Sequence, residues 1–411
     1  MQPSRACRAG RPAYVVLAAA LLAAALLAGG CSSGSKPSSV PTTTAATTTS
    51  VPASTSTTVP ACTNRTVLAG WPLPRRAALL LVAPILNFDM ASAHVAASDG
   101  AGGILFLGGA TPPAGLASRL RAAFASAPGP PPLAMADQEG GGIQRLTPPV
   151  TSIPWPRTMA ATMTAPQVQQ LAARVGSGMA SLGVRMDLAP VADVDARSGP
   201  SASNPDGQRS FSGNASTASS YTVAFMNGLV RGGVIPVVKH FPGLGGATGN
   251  TDNGPASTQP IASLQSTGLA PFRAAIAAGA PAVMIANAFV PGLTRLPATL
   301  SPEVITGLLR QQLGFDGLVL TDSLSAGAIT DAGYDLQHAA VATIAAGADM
   351  VLFGSTLTPA QTAQLSPGNV DANLRAISAS IASAVSSGRL PESRLDSADM
   401  HVLNAERVSL C

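Results

Sequence analysis

Charge is scarce in this chain of 411 residues. Asp, Glu, Lys and Arg make up only 11% of it, and the formal net charge is +4. No run of Lys or Arg occurs beyond residue 60, so the electrostatic footprint of a nucleic-acid binder is missing and that class is excluded. Lysine is nearly absent, occurring only as Lys36 and Lys239, and there are four histidines. No G-x-G-x-x-G opens a helix after the first apolar run and no Walker-type loop occurs, which leaves a nucleotide-binding reading unsupported.

What the N-terminus does have is a targeting pattern. Arg5, Arg8 and Arg11 precede an uncharged apolar run from Ala13 to Leu27, which ends in Ala28-Gly29-Gly30-Cys31. The run is shorter than the ~20 apolar residues a bilayer span needs, and small residues before Cys31 suit cleavage just ahead of it. Residues 1–30 are therefore expected to be a lipoprotein signal peptide and Cys31 the lipidated first residue, anchored to the outer face of the cell membrane. An ordinary secretory signal is the alternative. Residues 31–61 are almost wholly Ser, Thr, Pro, Ala and Val, with Lys36 as the only charge, and predict a disordered stalk. Beyond it, residues 62–411 have the length of a single α/β barrel, which needs about 250 residues or more. Cys62 and Cys411 stand at the two extremities of that domain. In an oxidising exterior they can pair, and closing so long a loop would stabilise by a few kcal/mol on the chain-entropy view. Two free thiols are the alternative.

Short apolar runs bounded by Gly, Pro or Asp recur through the domain: Leu79 to Ala83, Ile104 to Leu107, Leu133 to Ala136, Val184 to Leu188, Val234 to Val238, Ala282 to Ala286, Leu318 to Thr321 and Met350 to Phe353. Near-continuous apolar character marks strands covered on both faces. Segments with helical spacing lie between them, among them Ala165 to Leu182, Thr217 to Gly232, Leu269 to Ala278, Pro302 to Leu313 and Leu336 to Ala346. Alternating strands and helices predict a parallel α/β sheet, either an open doubly wound one or a closed barrel, and eight runs favour a (β/α)8 TIM-type barrel.

In such a barrel the carboxyl ends of the strands carry the active site. Asp137 follows the third run, Asp187 and Asp193 flank the end of the fourth, Lys239-His240 closes the fifth, Asn287 the sixth and Asp322 the seventh. Helix capping would account for one or two of these aspartates, but poorly for the whole set. Lys239 and His240 offer adjacent hydrogen-bond donors for a neutral polar ligand. Asp322 suits a nucleophile or base held on a rigid strand end, and Asp252, in the flexible-looking segment Gly243 to Gly254, is either a proton donor or a turn residue beside Asn253-Gly254.

Several segments together resemble those of the β-N-acetylglucosaminidases of glycoside hydrolase family 3. They are Asp137-Gln138-Glu139-Gly140-Gly141, Leu188-Ala189-Pro190-Val191-Ala192-Asp193-Val194, Asn204-Pro205, Arg209-Ser210-Phe211, Lys239-His240-Phe241-Pro242-Gly243, Pro297-Ala298-Thr299-Leu300-Ser301, Thr321-Asp322-Ser323-Leu324-Ser325 and Ala346-Gly347-Ala348-Asp349-Met350. The resemblance implies a retaining β-N-acetylhexosaminidase with Asp322 as nucleophile and Asp137, Arg209, Lys239 and His240 gripping sugar hydroxyls. It implies no metal or organic cofactor. The family usually carries Gly-His-Gly and then Asp-Ser-His, whose histidine is the acid/base; here those positions read Gly243-Leu244-Gly245 and Asn250-Thr251-Asp252, and the family's Ala-His is Ala286-Asn287. Asp252 is thus the candidate acid/base. A monomer acting on peptidoglycan fragments or related glycans is expected. The rival readings are a non-catalytic sugar-binding lipoprotein and a β-glycosidase of other specificity.

Overall fold

The computed structural model describes residues 62–356 and 358–411. The expected signal peptide, Cys31 and the stalk lie outside them. Eight parallel strands form one sheet: β1 Leu81–Leu86, β2 Gly103–Leu107, β3 Leu133–Ala136, β4 Met186–Asp187, β5 Ile235–Phe241, β6 Ala282–Ile285, β7 Leu318–Thr321 and β8 Val351–Leu352. Each falls on one of the eight apolar runs. The ring closes through β8, which pairs with β1 at Leu81↔Val351 and meets β7 through the bridge Leu320↔Met350.

A helix follows every strand: α1 Met90–Ser98, α2 Leu116–Phe124, α3 Ala165–Ser181, α4 Ala215–Arg231, α5 Ala270–Ala277, α6 Glu303–Gln312, α7 Leu336–Ala346 and α8 Pro367–Ser386. Helix starts are set by side chains that accept backbone N–H groups otherwise left without partners. Asp89 caps α1, Asn214 caps α4 and Asp335 caps α7. The aspartates at the strand ends do none of this, which leaves them free for another purpose. In α6 the winding is wider than α, with i→i+5 bonding continued by Leu313 N–H to Leu308 C=O at 3.0 Å. The strands are buried on both faces; Leu81, Val82, Ala83 and Ile85 are all at 0% exposure. That is the burial their near-continuous apolar character requires.

The floor of the barrel, where the strands begin, is held by ions rather than by apolar contact alone. Asp349, just ahead of β8, accepts from Val319 N–H at 2.9 Å, Arg310 at 2.6 Å, Arg394 at 2.7 Å and His401 at 2.9 Å. Burial would raise its pKa, but these partners outweigh it and hold the carboxyl below its ordinary value. The Ala346–Met350 motif thus serves the fold and not the site. Arg76, 1% exposed, similarly ties the helix Leu73–Leu79 to the C-terminal helix Glu392–Glu406 through Asp399 at 2.8 Å, Glu392 at 3.0 Å and Asp396.

The ends of the domain meet on this floor. Cys62 and Cys411 form a disulfide with Cα atoms 6.0 Å apart, and Asn64 both donates to Val408 C=O and accepts from Leu410 N–H at 2.8 Å. Among the described residues no helix is long and apolar enough to cross a membrane. The disulfide closes almost the whole domain into one loop, so replacing both cysteines with serine is expected to lower unfolding stability by about 2–4 kcal/mol. Urea unfolding under non-reducing conditions would read this as a lower midpoint.

Candidate active site

At the opposite end of the barrel the strand-end side chains converge. Asp322 follows β7 directly, Asp137 follows β3, and Lys239 and His240 lie within β5. Arg209 comes from the 3-10 turn Gly207–Arg209 in the long connection after β4, with its Nη1 donating to Pro205 C=O at 2.9 Å. Asp252 reaches in from the loop after β5. All six line one cavity of about 170 Å³. A larger cavity, about 860 Å³, opens on the floor among Leu133, Ile235 and Leu318 and the C-terminal helix, away from every residue expected to carry chemistry.

Glu139 is the centre of the arrangement, and the sequence reading gave it no role. A short hairpin pairing Gln138–Gly140 with Ile143–Gln144 follows β3 and turns Glu139 inward, leaving it 2% exposed. Its carboxylate accepts two parallel bonds from Arg209, Nε to Oε2 and Nη2 to Oε1, both 2.8 Å, and lies 2.6 Å from Lys239 Nζ. Lys239 also donates to Asp137 Oδ1 at 2.7 Å. Burial pushes the Glu139 pKa up, but Arg209 and Lys239 prevail and hold it well below the usual carboxylate range. The two cations gain in return. Burial would lower both, yet Glu139 raises Arg209, and Asp137 and Glu139 raise Lys239. The lysine's donors are therefore largely committed inside the protein and not simply offered to a ligand.

His240 is committed in the same way. Its Nδ1 is 2.8 Å from Asp193 Oδ2, and Asp193 also accepts from the backbone N–H groups of His240 at 3.3 Å and Leu244 at 2.6 Å. Burial, Arg209 and Lys239 push its pKa down to about 4, against Asp322 and Asp206, so the ring is neutral at pH 7. With Nδ1–H donating to Asp193, Nε2 is a bare acceptor, 3.4 Å from Arg209 Nη2. Asp187, at the end of β4, accepts from Gln138 N–H at 2.9 Å, and burial raises it to about 8.

The segment Gly243 to Gly254 looked flexible in the sequence but is packed at several points. Gly245 lies against Val194, where a Cβ would come within 2.0 Å of the carbonyl oxygen, so only glycine fits. Arg197 Nη1 donates to Ala247 C=O at 3.1 Å, Asn250 N–H to Ala202 C=O at 3.2 Å, and Gly327 and Ala328 N–H to Asp252 and Thr251 C=O at 3.0 Å. The Asp252 N–H bonds to Asn250 Oδ1 at 3.0 Å, and Asp252 lines the cavity. Burial raises its pKa, with Arg209 opposing and Asp137 adding to the rise. Asp322 is raised too, by burial first, with His240 opposing and Asp252 contributing. Asn287 has turned structural: it donates to Ser323 C=O at 2.7 Å and accepts from Thr299 Oγ1 at 2.6 Å.

Residues 79–405 match the glycosyl hydrolase family 3 N-terminal domain. The β-hexosaminidase LpqI of Mycobacterium tuberculosis is 39% identical over 241 residues, an alignment covering 56% of this chain and 60% of that protein. A family 3 glycosyl hydrolase structure from Mycobacterium smegmatis shares 34% identity at a TM-score of 0.71, covering 82% of this chain and 98% of the other. The family 3 β-N-acetylglucosaminidase of a Paenibacillus strain shares 31% at 0.73, covering 82% and 62%. A barrel whose strand ends gather these side chains, matched along nearly its whole length, belongs to glycosyl hydrolase family 3.

Proposed function

We propose that the chain is a retaining β-N-acetylhexosaminidase that removes terminal β-linked N-acetylglucosamine from peptidoglycan fragments or related glycans. The observation that carries this reading is the convergence of Asp322, Asp252, Asp137, Arg209, Lys239 and His240 on one cavity at the carboxyl ends of the strands. The names of the M. tuberculosis and Paenibacillus relatives support the choice of sugar.

Asp322 acts as nucleophile. Its backbone N–H donates to Ile285 C=O at 2.9 Å, and Oδ1 accepts from Ser323 N–H at 2.7 Å, so one carboxylate oxygen is engaged and the other is available. Attack on the anomeric carbon forms a glycosyl ester as the bond to the leaving oxygen breaks; water then opens the ester and restores the carboxylate. Asp252 gives its proton to the leaving oxygen and takes one from the attacking water. The raised pKa that burial confers on it suits the first of these tasks. Asp137, Lys239 and Arg209 supply charged groups to sugar hydroxyls, and His240 Nε2 supplies a neutral acceptor. The Glu139 bridge keeps the two cations in place.

Export and lipid anchoring at Cys31 belong to the same reading. They rest on the N-terminal sequence pattern and put the barrel where cell-wall glycans are found.

Hydrolysis of 4-nitrophenyl β-N-acetylglucosaminide is the primary test. The parent protein should turn it over, and Asp322→Ala should lose at least about a thousandfold in kcat. A parent that binds N-acetylglucosamine without cleaving this substrate would move the sugar-binding reading ahead. Asp252→Asn should lose about a hundredfold or more on substrates with poor leaving groups and much less on nitrophenyl ones; equal losses on both would remove Asp252 from the proton-transfer role. Once it has given up its proton, Asp252 is an anion beside the acceptor position and repels phosphate. The expected product in phosphate buffer is therefore free N-acetylglucosamine, and a sugar phosphate as main product would contradict that assignment.

A further inference from the structure

One buried acid next to the site has no part in that mechanism. Asp206 precedes the turn that carries Arg209 and is at 0% exposure. Neither of its carboxyl oxygens receives an N–H or O–H from any described residue. An ionised carboxylate in that position would have given up water for nothing. Beside the carboxyl lies a second acid, Asp193. Ligand atoms of Asp193, Asp206 and His240 lie within 4.8 Å of one another.

Two buried carboxyl groups this close need something positive between them, a proton or a cation. Asp193 already accepts from His240 Nδ1, His240 N–H and Leu244 N–H, which leaves little of it for a metal ion. The Arg209 guanidinium beside His240 makes a divalent cation less welcome still. A proton meets neither objection. It belongs on Asp206, the acid without donors, because Asp193 is the one whose anion is stabilised by three N–H groups.

We infer that Asp206 is a positioning residue that, as a neutral carboxylic acid, donates its O–H to Asp193 and so fixes the anion that orients His240 with Nε2 bare toward the cavity. The effect on turnover rests on the proposal that His240 meets the sugar; the protonation of Asp206 does not. The groups facing Asp206 are Asp193, Arg209, His240 and Asp195. Burial and Asp193 raise its pKa well above the ordinary value, against Arg209 and His240, with Asp195 adding to the rise.

The sign of the pH dependence follows. The folded protein holds on Asp206 a proton that the unfolded chain releases near pH 4. Stability from this group is therefore fully present below that pH and declines as pH rises toward the raised folded value. Asn at this position keeps a neutral N–H donor to Asp193 and has no proton to lose. The experiment compares thermal midpoints of the parent and Asp206→Asn from pH 5 to pH 8, and measures kcat and KM on the nitrophenyl substrate for Asp206→Asn and Asp206→Ala.

The midpoint of Asp206→Asn relative to the parent should climb steadily with pH. Its KM should stay within about threefold of the parent, while Asp206→Ala, which lacks the donor, should raise KM roughly tenfold with a smaller change in kcat. Imidazole 15N shifts should show the Nδ1–H tautomer of His240 in the parent and the Asn variant and a mixture in the Ala variant, a readout that needs no turnover. A midpoint difference that stays flat or reverses overturns the proposal. So does a chelator that lowers the parent's midpoint but not the variant's, which would reveal a bound divalent cation. Equal KM and tautomer in all three proteins would reduce Asp206 to packing. If the Ala variant does not fold, the Asn midpoint series decides; if the parent has no hydrolase activity, the midpoints and the 15N shifts still do.

Discussion

A lysine ammonium withdrawn from water has to be met by negative charge, and Lys239, 2% exposed, is met by two carboxylates. The strand end is organised around that requirement. Glu139 answers Lys239 and Arg209 together, and to do so it must be folded inward by a hairpin placed directly after β3. The position of Arg209 in turn fixes the long connection after β4, since its guanidinium must meet Glu139 in a planar, two-bond geometry. Removing Glu139 would leave two cations buried with one partner fewer, a far larger disturbance than losing a surface ion pair.

The enclosure also holds more acids than bases. Asp137, Glu139, Asp187, Asp193, Asp206, Asp252 and Asp322 gather around Lys239 and Arg209; Glu139, Asp187, Asp193 and Asp206 are buried, and half-buried Asp137, Asp252 and Asp322 line the cavity. They cannot all be anions. Glu139 takes the cations and is held ionised, whereas Asp187, Asp206, Asp252 and Asp322 are pushed toward their protonated forms; burial pushes Asp193 the same way, but its N–H donors from Leu244 and His240 oppose it and favour its anion. Acid chemistry at neutral pH needs such a setting. It gives a chain with few histidines a way to hold a transferable proton on carboxyl groups.

Much of this was legible in the sequence, and the boundary is physical. Apolar runs report strands because burial on both faces leaves no room for polar residues, and all eight were placed by that criterion. Polar residues at their ends reported Asp137, Lys239, His240 and Asp322 for the same reason: an abrupt polar residue after a buried run has to face the barrel mouth. Glu139 escaped because its partners, Arg209 and Lys239, are brought to it only by the hairpin and by loops from other strands, which leave no local pattern. Asp206 escaped likewise, as the acid beside it is Asp193 and not a chain neighbour. The Gly-rich loop was read as loose because glycine allows freedom; in the fold, Gly245 serves closeness instead, letting backbone press against Val194. Asp349 shows the converse, a residue in a family-like motif whose work is at the floor.

The disulfide joins the two ends of the domain on that floor, at the opposite end from the strand-end aspartates. Its mechanical meaning is that a pull on the chain at Cys62 is passed straight to Cys411, and the bonds of Asn64 with Val408 and Leu410 are clamped in parallel with it. The load path ends in the last helix. Tension from whatever precedes Cys62 is thus borne by one covalent joint and need not run through the loops that set the distance between Asp252 and Asp322.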